Sequence, residues 1–298
     1  MTISGFSYIR NGFEFGYPFL QAIQSILPIC DEFVIAVGDS HDGTREAIVN
    51  LNSPKIKIVD TIWDEESRMN GKIFAQQANA AREHLTGGWC FHIQADEIIH
   101  ERDLEKIKSS VEKYNSDLKV EGLLFHFLNF WGSYDYIRTT RRMHRFEIRI
   151  FRNIPTIRSY KDSQGFRNFK TPESLLNESL ADKLHVKKID VSLFHYNYVR
   201  NPKLMKKKSD YFHRFWHNDE WLKENVETTD VFYFDNVDEV ELYKGSHPKI
   251  MEELVKAQDW EFSFDKTKSK FIFRDRFTHK IEKWTGWRIG EYKNYKLI

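Results

Sequence analysis

The ten residues Gly88-Trp89-Cys90-Phe91-His92-Ile93-Gln94-Ala95-Asp96-Glu97 constrain this chain more than any other stretch. Trp89 to Ile93 reads as a short buried strand, opened by Gly87-Gly88 and closed by two adjacent acids. An apolar run of this length suits a strand covered on both faces. In open α/β sheets, ligands bind beyond the carboxyl ends of such strands, which is where Asp96 and Glu97 fall. Two carboxylates pressed together repel each other, and a divalent cation is the usual relief. The plainer alternative is that the acids begin the next helix. Leu104, Ile107 and Val111 follow at helical spacing, and acids favour a helix N-terminus.

The residues before this stretch alternate between strand and helix patterns. Ile3 to Ile9, Phe33 to Val37 and Lys55 to Val59 read as strands. Helices are expected from Pro18, from about Arg45 and from Gly71 to His84. Such alternation means βαβ units and a mainly parallel sheet. After a helix at Asp103 to Tyr114 the texture changes. Glu121 to Leu128 and Arg145 to Phe151 read as strands, separated by an aromatic and basic loop, and Val191 to Tyr198 reads as a last strand. In the second of these Glu147 and Arg149 alternate with apolar residues, so one face is polar. Beyond Pro202 the pattern is mostly helical.

Composition bounds what the chain can be. With 298 residues, 41% hydrophobic and 30% charged, it can bury a substantial core. A formal net charge of +1 gives no global field to recruit nucleic acid or a membrane, so any basic site must be local. Cys30 and Cys90 lie in apolar surroundings and read as buried free thiols. The N-terminus lacks a basic region followed by an apolar one, and no apolar run is long enough to span a bilayer. A cytoplasmic protein, at most in contact with the inner membrane face, is the expectation.

A strand closing on Asn11, a second strand followed by Ser40-His41-Asp42-Gly43-Thr44, and a later strand ending in Ala95-Asp96-Glu97 together resemble the family 2 glycosyltransferases. The resemblance covers roughly residues 1–200. It implies a GT-A (Rossmann-like) α/β fold: a mixed, mainly parallel sheet flanked by helices, followed by a mostly helical C-terminal extension. On this view residues 1–200 form the nucleotide-sugar-binding and catalytic domain, and 201–298 supply acceptor or oligomer contacts. The implied activity is inverting transfer of a sugar from a nucleotide diphosphate donor to a glycan or other glycoconjugate acceptor. Mn²⁺ or Mg²⁺ is the implied cofactor. Two departures stand out. Gly38-Asp39 exchanges the order of the family's Asp and Gly, and Gln94 replaces the first acid of its metal motif. A neutral Gln can still hold a hydroxyl or a metal-bound water, but it weakens the site electrostatically.

The resemblance then assigns roles. Asp96 would anchor the metal, with Glu97 and His195 as further ligands. Asn11, Asp39, Asp42, Arg68, Gln94, Asp96 and Arg200 would contact the nucleotide sugar, and Thr44 would cap the following helix. Arg200 and the cluster Lys206 to Lys208 can supplement the cation, although a lysine patch on a helix is usually solvated. The base would be Asp162, in a polar loop, with Glu147 second; for Glu147 an ion pair with Arg149 or Arg145 is the structural alternative. Trp131, Tyr134, Tyr136, Trp216 and Trp221 can stack on acceptor sugars, or simply fill the core. The tail Phe271 to Trp287 mixes Arg, Lys, Phe and Trp, as a peripheral membrane helix does. Its acids, Asp275 and Glu282, favour ordinary packing or a homodimer contact instead.

Three other classes remain in view. A sugar nucleotidylyltransferase needs a glycine-rich phosphate loop at the first strand, which Ser7-Tyr8-Ile9-Arg10-Asn11-Gly12 is not. A non-catalytic sugar-nucleotide or glycan-binding protein is encouraged by Gln94. Single-stranded RNA binding is opposed by the near-zero net charge.

Overall fold

The computed structural model describes residues 1–226 and 229–298, with the backbone alone at 65–67 and 268. Its first part alternates as the apolar pattern requires: β1 (Ile3–Ile9), α1 (Phe19–Ile26), β2 (Glu32–Val37), α2 (Thr44–Val49), β3 (Ile56–Asp60), α3 (Lys72–Arg82) and β4 (Trp89–His92). These strands pair in parallel in the order β3-β2-β1-β4. Such register leaves β1, β2 and β4 buried on both faces, which is why they read as continuous apolar runs. Helices cover the two sides. α1 buries Phe19, Ala22, Ile23 and Ile26, and α3 buries Ile73, Phe74, Ala78 and Ala81.

The acids after β4 do not start a helix. Glu97 opens β5 (Glu97–Ile99), and only then comes α4 (Leu104–Tyr114). β6 (Gly122–Trp131), β7 (Ser133–Ile137), β8 (Phe146–Arg152), β9 (Ile157–Ser159) and β10 (Phe166–Asn168) follow, then α5 (Pro172–Leu176) and the long β11 (Asp182–Tyr198). β8 runs antiparallel between β4 and β6, whereas β6 and β11 are parallel. The central path is therefore β3-β2-β1-β4-β8-β6-β11, a mixed sheet whose amino-terminal half is purely parallel. The fold class is α/β, with helices on the sheet's faces, as the alternation of strand and helix patterns implies.

The C-terminal residues add α6 (Pro202–His213), α7 (Asp219–Asn225), β12 (Glu241–Leu242), α8 (Glu252–Lys256), α9 (Phe273–Thr285) and β13 (Tyr295–Leu297). Val191 to Tyr198 is thus not the last strand. β12 pairs with β7, and β13 lies parallel to β11 at Leu184, His185 and Val186. The aromatic and basic loop expected between β6 and β8 also contains a strand, β7, held by β6 and β12. Both cysteines are buried and free, and burial pushes each thiol up to about 12.

Candidate active site

Beyond the carboxyl ends of β1 and β4 lies a cavity of about 820 Å³. Tyr8, Arg10, Gln94, Asp96, Asp162 and His195 contribute to its polar wall, and α6 contributes Lys208, Tyr211 and Phe212. Tyr17, Trp63, Trp131, Tyr198, Trp216 and Phe232 line much of the remainder. Polar groups converging on an aromatic-lined cleft are the general form of a small-molecule site.

Asp96 is its electrostatic centre. The side chain is buried, and three nitrogen groups approach it: His195 Nε2 at 3.9 Å from Oδ1, and Arg200 Nη2 and Lys208 Nζ each at 3.6 Å from Oδ2. Burial alone would raise the Asp96 pKa; the positive charge of Lys208 and Arg200 outweighs it, and the carboxyl is held below its ordinary range. For Lys208 the balance runs the other way. Burial, joined by Arg200, pulls the ammonium well below its ordinary value against the attraction of Asp96. Lys208 also contacts Asn197 Oδ1 and lies 4.8 Å from the centre of the Tyr17 ring. Arg200 donates to the Gly16 carbonyl at 3.2 Å and sits 4.4 Å over the same ring, while its Nη2 makes no hydrogen bond.

The tautomer of His195 follows from its neighbour. Asn129 Nδ2 donates to the His144 carbonyl at 2.8 Å, which turns Asn129 Oδ1 toward His195 Nδ1 at 2.9 Å. An amide oxygen only accepts, so Nδ1 carries the proton and Nε2 presents its lone pair toward Asp96. Burial lowers the His195 pKa despite the nearby Asp96, which favours this neutral ring.

The other residues singled out by sequence are placed as follows. Glu97 turns away from Asp96 into the core, where Arg149 grips it with Nε at 2.8 Å and Nη2 at 2.5 Å. Both of its carboxylate oxygens are engaged there, not at the cleft. Asp42 accepts from Thr44 Oγ1 at 2.5 Å, Thr44 N at 3.1 Å and Glu14 N at 2.8 Å, so it holds the turn. Thr44 does not cap α2: the capping position is Gly43, at φ +85°, and Thr44 Oγ1 accepts from Gly12 N at 2.7 Å. Asn11 Oδ1 accepts from His41 N at 3.2 Å, stitching the first two loops together. Asp39 pairs with Arg10 at 3.0 Å and also accepts from Trp63 N. Arg68 pairs with Asp219 at 2.7 Å.

Asp162 does line the cleft. It sits between Lys161 at φ +53° and Ser163 at φ +62°, two non-glycine residues in the left-handed region. The turn packs against the start of α3, where a Cβ on Gly71 would meet Asp162 Cβ at 2.7 Å. Glu147 is buried behind it. Its partner is His144 Nδ1 at 3.2 Å and not an arginine, and burial pushes its pKa up to about 8, opposed by Arg149 and assisted by Glu97 and Asp162. The polar face expected on β8 exists, but it is turned inward, with Glu147 and Arg149 both buried.

Sequence reasoning undervalued two residues. Of the lysine cluster, Lys206 pairs with Asp210 and Lys207 with Glu14, whereas Lys208 alone is buried. The signal was its spacing: Lys208 lies three residues after buried Met205 and four before Phe212, on one face of α6. Asn129 falls just past the strand expected at Glu121 to Leu128, and no local motif marks it.

No protein-family model and no curated protein matches the chain. Among solved structures it is similar to S. aureus TarS, at 14% identity and a TM-score of 0.41 over 71% of this chain and 39% of that one. It is also similar to the mannosyltransferase PcManGT from Pyrobaculum calidifontis in complex with GDP-Man and Mn²⁺, at 20% identity and a TM-score of 0.32 over 43% of this chain and 35% of that one. The third is glucosyl-3-phosphoglycerate synthase from Mycobacterium tuberculosis with Mn²⁺, UDP and phosphoglyceric acid, at 17% identity and a TM-score of 0.30 over 44% of each chain. What the cleft can do follows from its own residues.

Proposed function

We propose that the chain is an inverting glycosyltransferase that moves a sugar from a nucleotide diphosphate donor to a hydroxyl of a glycan or other glycoconjugate. The observation that carries this reading is the arrangement around Asp96. One buried carboxylate at the end of a parallel strand faces the cleft with a guanidinium, an ammonium and an imidazole lone pair within 3.9 Å. One carboxylate faces both the Arg200 guanidinium and the Lys208 ammonium, and a diphosphate bound beside it would balance that set. Its negative charge would also favour the protonated form of Lys208, which burial disfavours.

The donor set also fits a divalent cation. Asp96 Oδ1 and His195 Nε2 face each other across 3.9 Å, and both offer lone pairs. Asp96 and His195 would hold it, with Gln94 nearby; Glu97 is committed to Arg149. Bound Mn²⁺ or Mg²⁺ would supply positive charge beside the departing diphosphate. Arg200 and Lys208 contribute the same stabilisation from the protein itself, preorganised against the Tyr17 ring. Asp162 is the general base of this proposal. It would take the acceptor proton as the hydroxyl attacks the anomeric carbon opposite the leaving group. Trp131, Tyr198 and Phe232 would form the acceptor wall. On this view residues 1–200 carry the donor machinery apart from Lys208, which α6 brings from 201–298 as it closes the site.

A non-catalytic nucleotide-sugar binder is the second reading, favoured by Gln94 where an acid is expected. The deciding experiment is calorimetric titration of a panel of nucleotides and nucleotide sugars, with and without Mn²⁺, followed by a donor-hydrolysis assay. Asp162→Asn should keep donor binding and lower turnover roughly 10²–10⁴-fold. Donor binding with no turnover in the native chain would establish the binder. No binding to any nucleotide by the folded protein would end both readings.

A further inference from the structure

α9 is folded with its expected polarity reversed. Its acids face the protein: Asp275 reaches Arg142 at 3.3 Å, and Glu282 reaches Arg288 at 2.7 Å and Arg145 at 3.7 Å. Its large rings face solvent, with Phe273 87% exposed, Phe277 58% and Trp284 88%. These three positions fall within a narrow stripe of the helix, since four and eleven residues are close to whole turns. The exposed bases Arg276 and Lys280 flank the stripe on one side and exposed Arg274 on the other. The acids that, in sequence, spoke for ordinary packing are thus neutralised on the inner face. What remains outside, Thr285 apart, is aromatic and basic, with no acid.

Single exposed apolar residues are common, but a ring stripe bordered by arginine and lysine is the pattern of a helix lying in a membrane interface. We propose that the outer face of α9 docks on an anionic lipid surface. Phe273, Phe277 and Trp284 would enter the headgroup region while Arg274, Arg276 and Lys280 meet lipid phosphates. Charge complementarity selects this occupant over a second copy of the chain. A two-fold contact through this stripe would set each basic row against its own copy. With a formal net charge of +1, the attraction comes from this local patch and not from the whole molecule. Among the described residues no helix is long and apolar enough to cross a membrane, so the contact is one of lying on the surface. The proposal stands independently of the cleft.

The test is co-sedimentation of the full chain with vesicles of phosphatidylcholine, with and without phosphatidylglycerol. The native chain should bind the anionic vesicles, and binding should weaken as salt rises. The triple variant Phe273→Ser, Phe277→Ser, Trp284→Ser should lose roughly tenfold or more in affinity. The variant Arg274→Ser, Arg276→Ser, Lys280→Ser should lose the preference for anionic vesicles. Independently, vesicles should blue-shift the tryptophan emission of the native chain, and the conservative Trp284→Phe should diminish that shift while keeping the fold. Absence of native binding, or equal binding by the aromatic variant, overturns the proposal. So does a dimer in velocity sedimentation that the aromatic variant dissolves, because the second copy is then the occupant.

Discussion

Asp96 and Glu97 are neighbours in the chain and opposites in their surroundings. Glu97 faces the core and is gripped by both arms of Arg149 at 2.5 and 2.8 Å, with Gln94 N adding a bond at 3.0 Å. Asp96 faces the cleft, where its three nitrogen neighbours stop at 3.6 to 3.9 Å. Asp96 sits in the turn that Glu97 N closes on the Gln94 carbonyl at 3.1 Å, and Glu97 opens β5, so one step along the chain separates a finished ion pair from an unfinished one. A closed pair fixes structure. An open set of charges, held slightly too far apart to satisfy itself, is what a charged ligand can complete.

Glu97→Ala should have the largest effect on stability, because it strands the Arg149 guanidinium in the core. A loss of about 3–5 kcal/mol is expected for a broken buried pair, measured by denaturant unfolding. Asp96→Asn should cost clearly less in the same assay, because its neighbours are loosely held and Lys208 can shed its proton. Equal losses would abolish the distinction between the two acids. Asn129→Leu should sharpen it. Without the acceptor on Nδ1 the His195 tautomer is no longer fixed, so the strengthening of nucleotide affinity by Mn²⁺ should fall about 10–100-fold, with metal-free affinity changed little.

The smallest effect is a pH dependence. Glu147 has its folded pKa raised to about 8, by burial first and then by Glu97 and Asp162, with Arg149 opposing. Its contribution to stability is therefore fully present below the ordinary carboxylate pKa and is lost as pH rises through about 8. Glu147→Gln should melt like the native chain below the ordinary carboxylate pKa, and increasingly above it as pH rises to about 8. A constant difference across that window would show that Glu147 is ionised throughout.

Legibility in sequence followed burial. β1, β2 and β4 were readable because strands covered on both faces must be apolar. The first half of β11 alternates buried Leu184 and Val186 with more exposed neighbours, and β13 is three residues held by β11, so neither stands out locally. In the site, Asp96 was legible from its place after β4. The fate of Asp42 was not, since an aspartate holding a turn and one holding a ligand look alike in sequence. Arg149 was visible as an alternating polar residue, but that pattern does not say whether such a face meets water or an acid.

The position of Lys208 on α6 also bears on how the protein is made. Residues 1–114 contain every strand of the β3-β2-β1-β4 path, so this parallel sheet has all its partners before the later strands are made. β4 then waits for β8, and Asp96 for a helix 112 positions further along. During synthesis the nascent chain could thus hold a nearly complete parallel sheet while the cleft at Asp96 lacked one wall. Competence to bind should appear late and abruptly, when α6 leaves the ribosome and docks.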